Sequence, residues 1–126
     1  MVSRILSYFG LRRFRNQQFS DRERLPLDNF YARYYGSEGI EKSCVLKILR
    51  ELSEAVEVDA ELLRPSDRFT VELRPRQDRW AEIDDSWFSV VMLMKRLNKD
   101  VGTNVSVESH PTIDSVIRAY CRAKSW

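Results

Sequence analysis

Between Glu41 and Asp59 the chain reads EKSCVLKILRELSEAVEVD, with Val45, Ile48, Leu49, Leu52 and Val56 at i, i+3, i+4, i+7 and i+11. Lysine, arginine and glutamate fill the opposite face. This is the pattern of an amphipathic helix with one buried stripe. A second long helix is predicted from Ser86. At 100° per residue, Trp87, Val90, Val91, Met94, Leu97 and Val101 share one side, and Gly102 supplies the stop. Phe88 and Met92 fall away from that stripe, near Lys95 and Lys99. A third helix follows Thr112, a good N-cap, with Ile113, Val116, Ile117 and Tyr120 facing inward. The stretch LDNFYARYYG predicts a shorter helix, capped by Asp28 or Asn29 and ended by Gly36. Its aromatics Phe30, Tyr31, Tyr34 and Tyr35 read as core packing.

The segments between these helices break the period. Pro65 cannot sit inside a helix, so VDAELLRPSDRFTVEL is a connecting segment anchored by Leu62, Leu63 and Phe69. RPRQDRWAEIDD, with Pro75, reads as a charged surface loop. No strand pattern and no internal repeat stand out. The expected fold class is all-α, a small irregular four-helix bundle.

Composition narrows the function classes. Apolar residues are 43% and charged residues 32% of 126, which fits one soluble domain rather than a disordered chain. No apolar run approaches the ~18 residues that span a bilayer, and the opening stretch does not read as a signal peptide. The two cysteines, Cys44 and Cys121, are not spaced as metal ligands. Reduced thiols in a cytoplasmic protein are the expectation. The net charge of +2 is unevenly spread: residues 1–20 hold Arg4, Arg12, Arg13 and Arg15 and no acid, leaving 17 basic and 19 acidic side chains in the rest. A body with that balance is not a nucleic-acid binder. Residues 1–25 read as a basic N-terminal extension and linker, and residues 26–126 as the helical domain. Val2, Ile5, Leu6, Phe9 and Phe14 among the arginines fit a segment that packs on the body, covering Phe88 and Met92, or that touches an anionic membrane or a partner.

With the helices placed, the order of elements over roughly residues 44–120 resembles an acyl carrier protein. VDAELLRPSDRFTVEL is similar to the carrier loop through Val58, Asp59, Glu61, Asp67, Phe69, Glu72 and Leu73. DSWFSVVMLMKRLNKDVG is similar to the carrier's second helix, which opens on Asp-Ser, and TIDSVIRAY to its last helix. The resemblance implies a bundle of acyl-carrier type that performs no catalysis. It also implies a 4′-phosphopantetheine arm on Ser86, whose thiol holds an acyl group, with acyl-transferring enzymes as partners. The sequence differs from the family in four respects: counting back from Val101-Gly102 places the family's serine on Trp87 rather than Ser86, twelve residues separate Leu73 from Ser86, the helix from Ser86 to Lys99 contains no acid, and TNVSVESHP is short for the family's third helix.

Ser86 has two readings on its own residues. After Asp84 and Asp85 it caps a helix, an arrangement worth about 1 kcal/mol; by resemblance it carries the arm. A carrier fold without the arm would be a protein-interaction module. In either case Phe88, Met92, Lys95 and Lys99 form the candidate docking positions, an apolar pair followed by cations that call for an acidic partner surface. Nothing favours an enzyme. The one histidine, His110, lies beside Pro111 in a loop, and four glycines make no phosphate loop. No metal site is expected, Glu82, Asp84 and Asp85 being a solvated helix entry.

Overall fold

Helix α2 is the element the others pack on, because its apolar side chains occupy more than one face. The computed structural model describes residues 12–13, 15–74 and 86–123, with the Ser86 side chain outside that set. Four α-helices follow in order: α1 Leu27–Tyr34, α2 Lys42–Val56, α3 Ser86–Val101 and α4 Ile113–Ala123, with a 3-10 turn Ala60–Leu62 after α2. Residues 12, 13 and 15–17 are also helical, and among the described residues there is no strand, only an isolated bridge between Arg68 and Thr112. The molecule is all-α. No helix among the described residues is long and apolar enough to cross a membrane.

The expected stripe Val45, Ile48, Leu49, Leu52 and Val56 is buried, and Cys44, Leu46 and Ala55 widen it. α2 therefore meets α1, α3 and α4 at once. Burying each large aliphatic side chain of this set contributes about 2 kcal/mol. Leu62, Leu63 and Phe69 anchor the connecting segment as expected, and Ile113, Val116, Ile117 and Tyr120 complete the core from α4.

The helix ends follow from local chemistry. α2 stops where Glu57 adopts a left-handed conformation (φ 61°), and the Val58 N–H reaches back to the Ser53 carbonyl. α3 stops at Gly102 (φ 77°), where a side chain would be strained. The Thr112 hydroxyl accepts the Ser115 N–H at 3.1 Å, while the Ser115 hydroxyl accepts the Thr112 N–H at 3.0 Å. This is a reciprocal cap on α4. α1 departs from expectation: its N-cap is Pro26, and Asp28 lies inside the first turn without capping it. Proline fits there because the first amides of a helix have no intrahelical acceptor.

Side-chain networks join elements far apart in sequence. The Tyr35 hydroxyl donates to Asp114 at 2.7 Å, Arg118 donates to Asp114 at 2.8 Å and pairs with Glu38 at 2.6 Å, and its guanidinium stacks 5.2 Å over the Tyr35 ring. Burial, then the bond to Asp114, raises the Tyr35 phenol far above its ordinary range. Asn98 organises the α3–α4 connection, accepting from Val105 N–H and Tyr120 hydroxyl and donating to the Val105 carbonyl. Burial pushes the Tyr120 phenol up to about 12.

The cysteines correct the sequence reading. Cys44 and Cys121 are not free thiols but a disulfide, with Cα atoms 5.7 Å apart and a sequence separation of 77. Each lies four residues from a buried isoleucine, Ile48 or Ile117, and so extends a stripe that faces the other helix. Linear spacing carries no trace of that meeting. A bridge closing so long a loop restricts the unfolded chain by about 4 kcal/mol in the chain-entropy account. Reduction should accordingly lower the melting temperature by on the order of 10 °C, which calorimetry with and without a phosphine reductant would measure. An unchanged melting temperature would mean that the pair adds nothing to stability.

Candidate functional site

The outward face of α3 carries the residues singled out from sequence. Ser86 is the first helical residue; its side chain, and Glu82, Asp84 and Asp85 before it, lie outside the described residues. Beyond it Phe88 is 64% exposed and Met92 47% exposed, and Lys95 and Lys99 are exposed on the same arc. These four positions run i, i+4, i+7 and i+11, so they form one continuous stripe about 16 Å long. The structure brings the expected docking residues together.

The core side of α3 differs from expectation. Trp87 was placed on the buried stripe but is 38% exposed, whereas Leu93, outside that stripe, is buried with Val90, Met94 and Leu97. The buried arc is turned by roughly 40° toward Leu93, because α3 packs against both α2 and α4. Trp87 is left at the arc's edge in the first turn, beside Phe88. An indole tolerates that half-wet position well. The apolar end of the stripe is thus wider than the sequence indicated.

Along the stripe the charges are of one sign. Neither Lys95 nor Lys99 has an ion pair among the described residues, whereas Arg96, one position round the helix, is held by Glu51 on α2. The only acid in α3 is Asp100, well off the arc. The face is therefore apolar at its N-terminal end and cationic at its C-terminal end, where the helix dipole also favours cations.

A second constellation escaped the sequence reading. The Asp67 carboxylate, 2% exposed, accepts two bonds from Arg22 at 2.7 and 2.8 Å and a third from the Arg64 N–H at 2.8 Å. Arg22 lies in the stretch taken for a charged linker. Its guanidinium also donates to the Leu62 carbonyl and sits 4.6 Å over the Phe19 ring. The carboxylate, ahead of a smaller desolvation cost, raises the Arg22 pKa. Phe19 and Leu25 are buried in the core on either side of this pair.

Upstream residues dock alongside. Arg12 contacts Asp59, Ser53 and Glu54, Asn16 accepts the Asp59 N–H at 2.9 Å, and buried Arg15 donates to the Leu73 carbonyl at 2.9 Å. Residues 12–13 and 15–20 therefore pack where α2 ends, and Phe88 and Met92 remain exposed rather than covered by them; residues 1–11 and 14 lie outside the described residues. Packing of the N-terminal segment on the body was among the sequence readings, but its place at the end of α2 left no mark in the sequence beyond a charge imbalance between the first twenty residues and the rest.

Among the described residues no group of three or more His, Cys, Asp or Glu side chains could hold a metal ion. His110 contacts the neighbouring Ser109 hydroxyl at 2.7 Å. Compared with protein families, with curated proteins and with solved structures, the chain matches none.

Removing Arg22 leaves the buried Asp67 carboxylate without its counter-charge, so Arg22→Ala should cost about 3 kcal/mol in urea unfolding. Adding Asp67→Ala to that background should cost under about 1 kcal/mol more, because it removes the stranded charge. Additive losses in this double-mutant cycle would show that the two side chains act independently.

Proposed function

We propose that the chain is a non-catalytic helical module of acyl-carrier-like type that works by docking a partner protein on the outward face of α3. The observation that carries this reading is the exposure of Phe88 and Met92, with Trp87 beside them, at one end of a stripe that ends in Lys95 and Lys99. Large apolar side chains held in water on a regular helix stabilise nothing in the free molecule and gain most from a desolvating partner. The partner's complementary surface is an apolar recess bordered by acids. This inverts the charge relation that the carrier resemblance implies, in which the carrier supplies the acids.

The helix order from α2 to α4, with Leu62, Leu63 and Phe69 anchoring the connecting segment after α2, supports the acyl-carrier type of bundle. The Cys44–Cys121 bridge favours an oxidising compartment over the cytoplasm expected from sequence, since cytosolic thiols are ordinarily kept reduced.

With the native partner in hand, Phe88→Ala should weaken binding by about 2 kcal/mol, the range of an interface anchor. Reversing Lys95 and Lys99 to glutamate should slow association and remove most of its salt dependence. Unchanged kinetics in the double reversal, with the circular dichroism spectrum intact, would exclude this face as the docking surface.

One observation favours a second reading, a true carrier: Ser86 is the first residue of α3. A phosphodiester formed there would meet the positive end of the helix. Incubation with coenzyme A and a broad-specificity phosphopantetheinyl transferase would then add one phosphopantetheine to the intact mass, and Ser86→Ala would abolish the gain. An unmodified mass with several such transferases would leave the interaction module without an arm.

A further inference from the structure

An open cavity of about 520 Å³ lies between the N-terminal segment and the 3-10 turn after α2, lined by Arg12, Arg13, Arg22 and Arg24 with Gln17 and Ser20. None of its described lining residues belongs to α3, so it is separate from the docking face. Among the described residues no acidic side chain lines it. The carboxylates that neutralise these arginines approach from outside the lining: Asp67 takes both terminal nitrogens of Arg22, and a single carboxylate, Asp59, serves Arg12 at 3.2 Å and Arg24 at 3.2 Å. Glu61 adds a longer contact to Arg24 at 3.4 Å, and Glu54 one to Arg12 at 3.8 Å. Arg13 is exposed and has no ion pair among the described residues.

We propose that this cavity binds a phosphate group, as a phosphomonoester or diphosphate. Its guanidiniums are oriented before any ligand arrives: Arg22 is fixed by its two bonds to Asp67, and Arg12 is held by Asp59 and the Ser53 hydroxyl. A monoanion such as acetate gains little from arginines that are already largely balanced. A dianionic phosphate has three or more acceptor oxygens and engages Arg13 in full. It also draws on N–H groups of Arg12 and Arg24, between which Asp59 is shared. The planar fork of a guanidinium matches two phosphate oxygens, which gives arginine an advantage over lysine here. Gln17 and Ser20 supply neutral donors at the rim. The same chemistry accommodates a soluble phosphate compound or the headgroup of an anionic phospholipid.

Calorimetric titration of the full chain with inorganic pyrophosphate at low ionic strength tests the site, with acetate as the comparison. Pyrophosphate should bind and acetate should not. Arg13→Gln should weaken pyrophosphate binding about tenfold, the loss of one charge-assisted contact, with an unchanged melting temperature because Arg13 is exposed. Arg122→Gln removes the same charge from the end of α4 and should leave binding as it was. Equal weakening by the two variants, or no effect of R13Q, would reduce the interaction to diffuse charge attraction and overturn the proposal. So would absence of pyrophosphate binding. Co-sedimentation with phosphatidylcholine vesicles containing phosphatidic acid separates the two sources. Vesicle binding that pyrophosphate displaces and R13Q loses assigns a lipid headgroup; pyrophosphate binding without vesicle binding assigns a soluble compound.

Discussion

The Asp67 carboxylate is the point on which three separate parts of the chain converge. Its side chain is saturated by Arg22 from the N-terminal segment and by the Arg64 N–H from its own turn. Its backbone carbonyl accepts the Ile113 N–H at 3.0 Å, and the flanking Pro65 and Pro111 carbonyls accept from Asp114 and Phe69. A buried carboxylate is costly unless every lone pair finds a donor. The constraint works in both directions: Asp67 can be buried only if Arg22 comes with it, and Arg22 brings Phe19 and Leu25 into the core. The start of α4 and the end of the connecting segment are thereby fixed to the N-terminal segment without a strand between them.

Helix identity was legible because it rests on period. Val45, Ile48, Leu49, Leu52 and Val56 declare their stripe through spacing alone, as do Ile113, Val116, Ile117 and Tyr120. Gly102 and Thr112 mark helix ends through φ and hydroxyl chemistry that act locally. What spacing could not supply was rotation and long-range pairing. α3 has apolar residues on most of its circumference, so its wheel admits several centres, and packing against two helices selected the one that exposes Trp87 and buries Leu93. Cys44 and Cys121 each read as a stripe residue, yet their encounter depends on how α2 and α4 meet. Arg22 looked like one charge in a polar linker, since nothing local distinguishes a solvated arginine from one bound to a carboxylate 45 residues away.

The candidate face was legible for the same local reason, and its surroundings were not. Phe88, Met92, Lys95 and Lys99 share an arc by arithmetic on the helix period. Whether that arc is covered depends on where the N-terminal segment goes, and its described residues from Arg12 onward go to the end of α2. Their arginines find Asp59, Asp67 and the Leu73 carbonyl there, whereas the stripe on α3 offers cations that repel them. Electrostatics thus parts the two basic regions of the chain, and the apolar half of the stripe gains no cover from residues 12–13 and 15–20.

The charge asymmetry seen in the sequence acquires a physical meaning from these contacts. An excess of arginine before residue 20 and of acid after it could have signified an external anionic surface. Within that stretch Arg12 is instead engaged by acids of the body, as are Arg22 and Arg24 just after it, and the pairs differ in weight. The solvent-exposed Arg24–Glu61 contact is worth between nothing and about 1 kcal/mol, whereas the bidentate Arg22–Asp67 pair has a buried carboxylate that cannot lose its arginine cheaply. Neutralisation of this kind offsets part of the basic segment's charge and fixes the direction of the guanidiniums it engages. Arg13, without an ion pair among the described residues, stands beside guanidiniums whose directions are already set. A segment that would be a diffuse cationic tail in isolation becomes, on the folded body, the wall of a defined cavity.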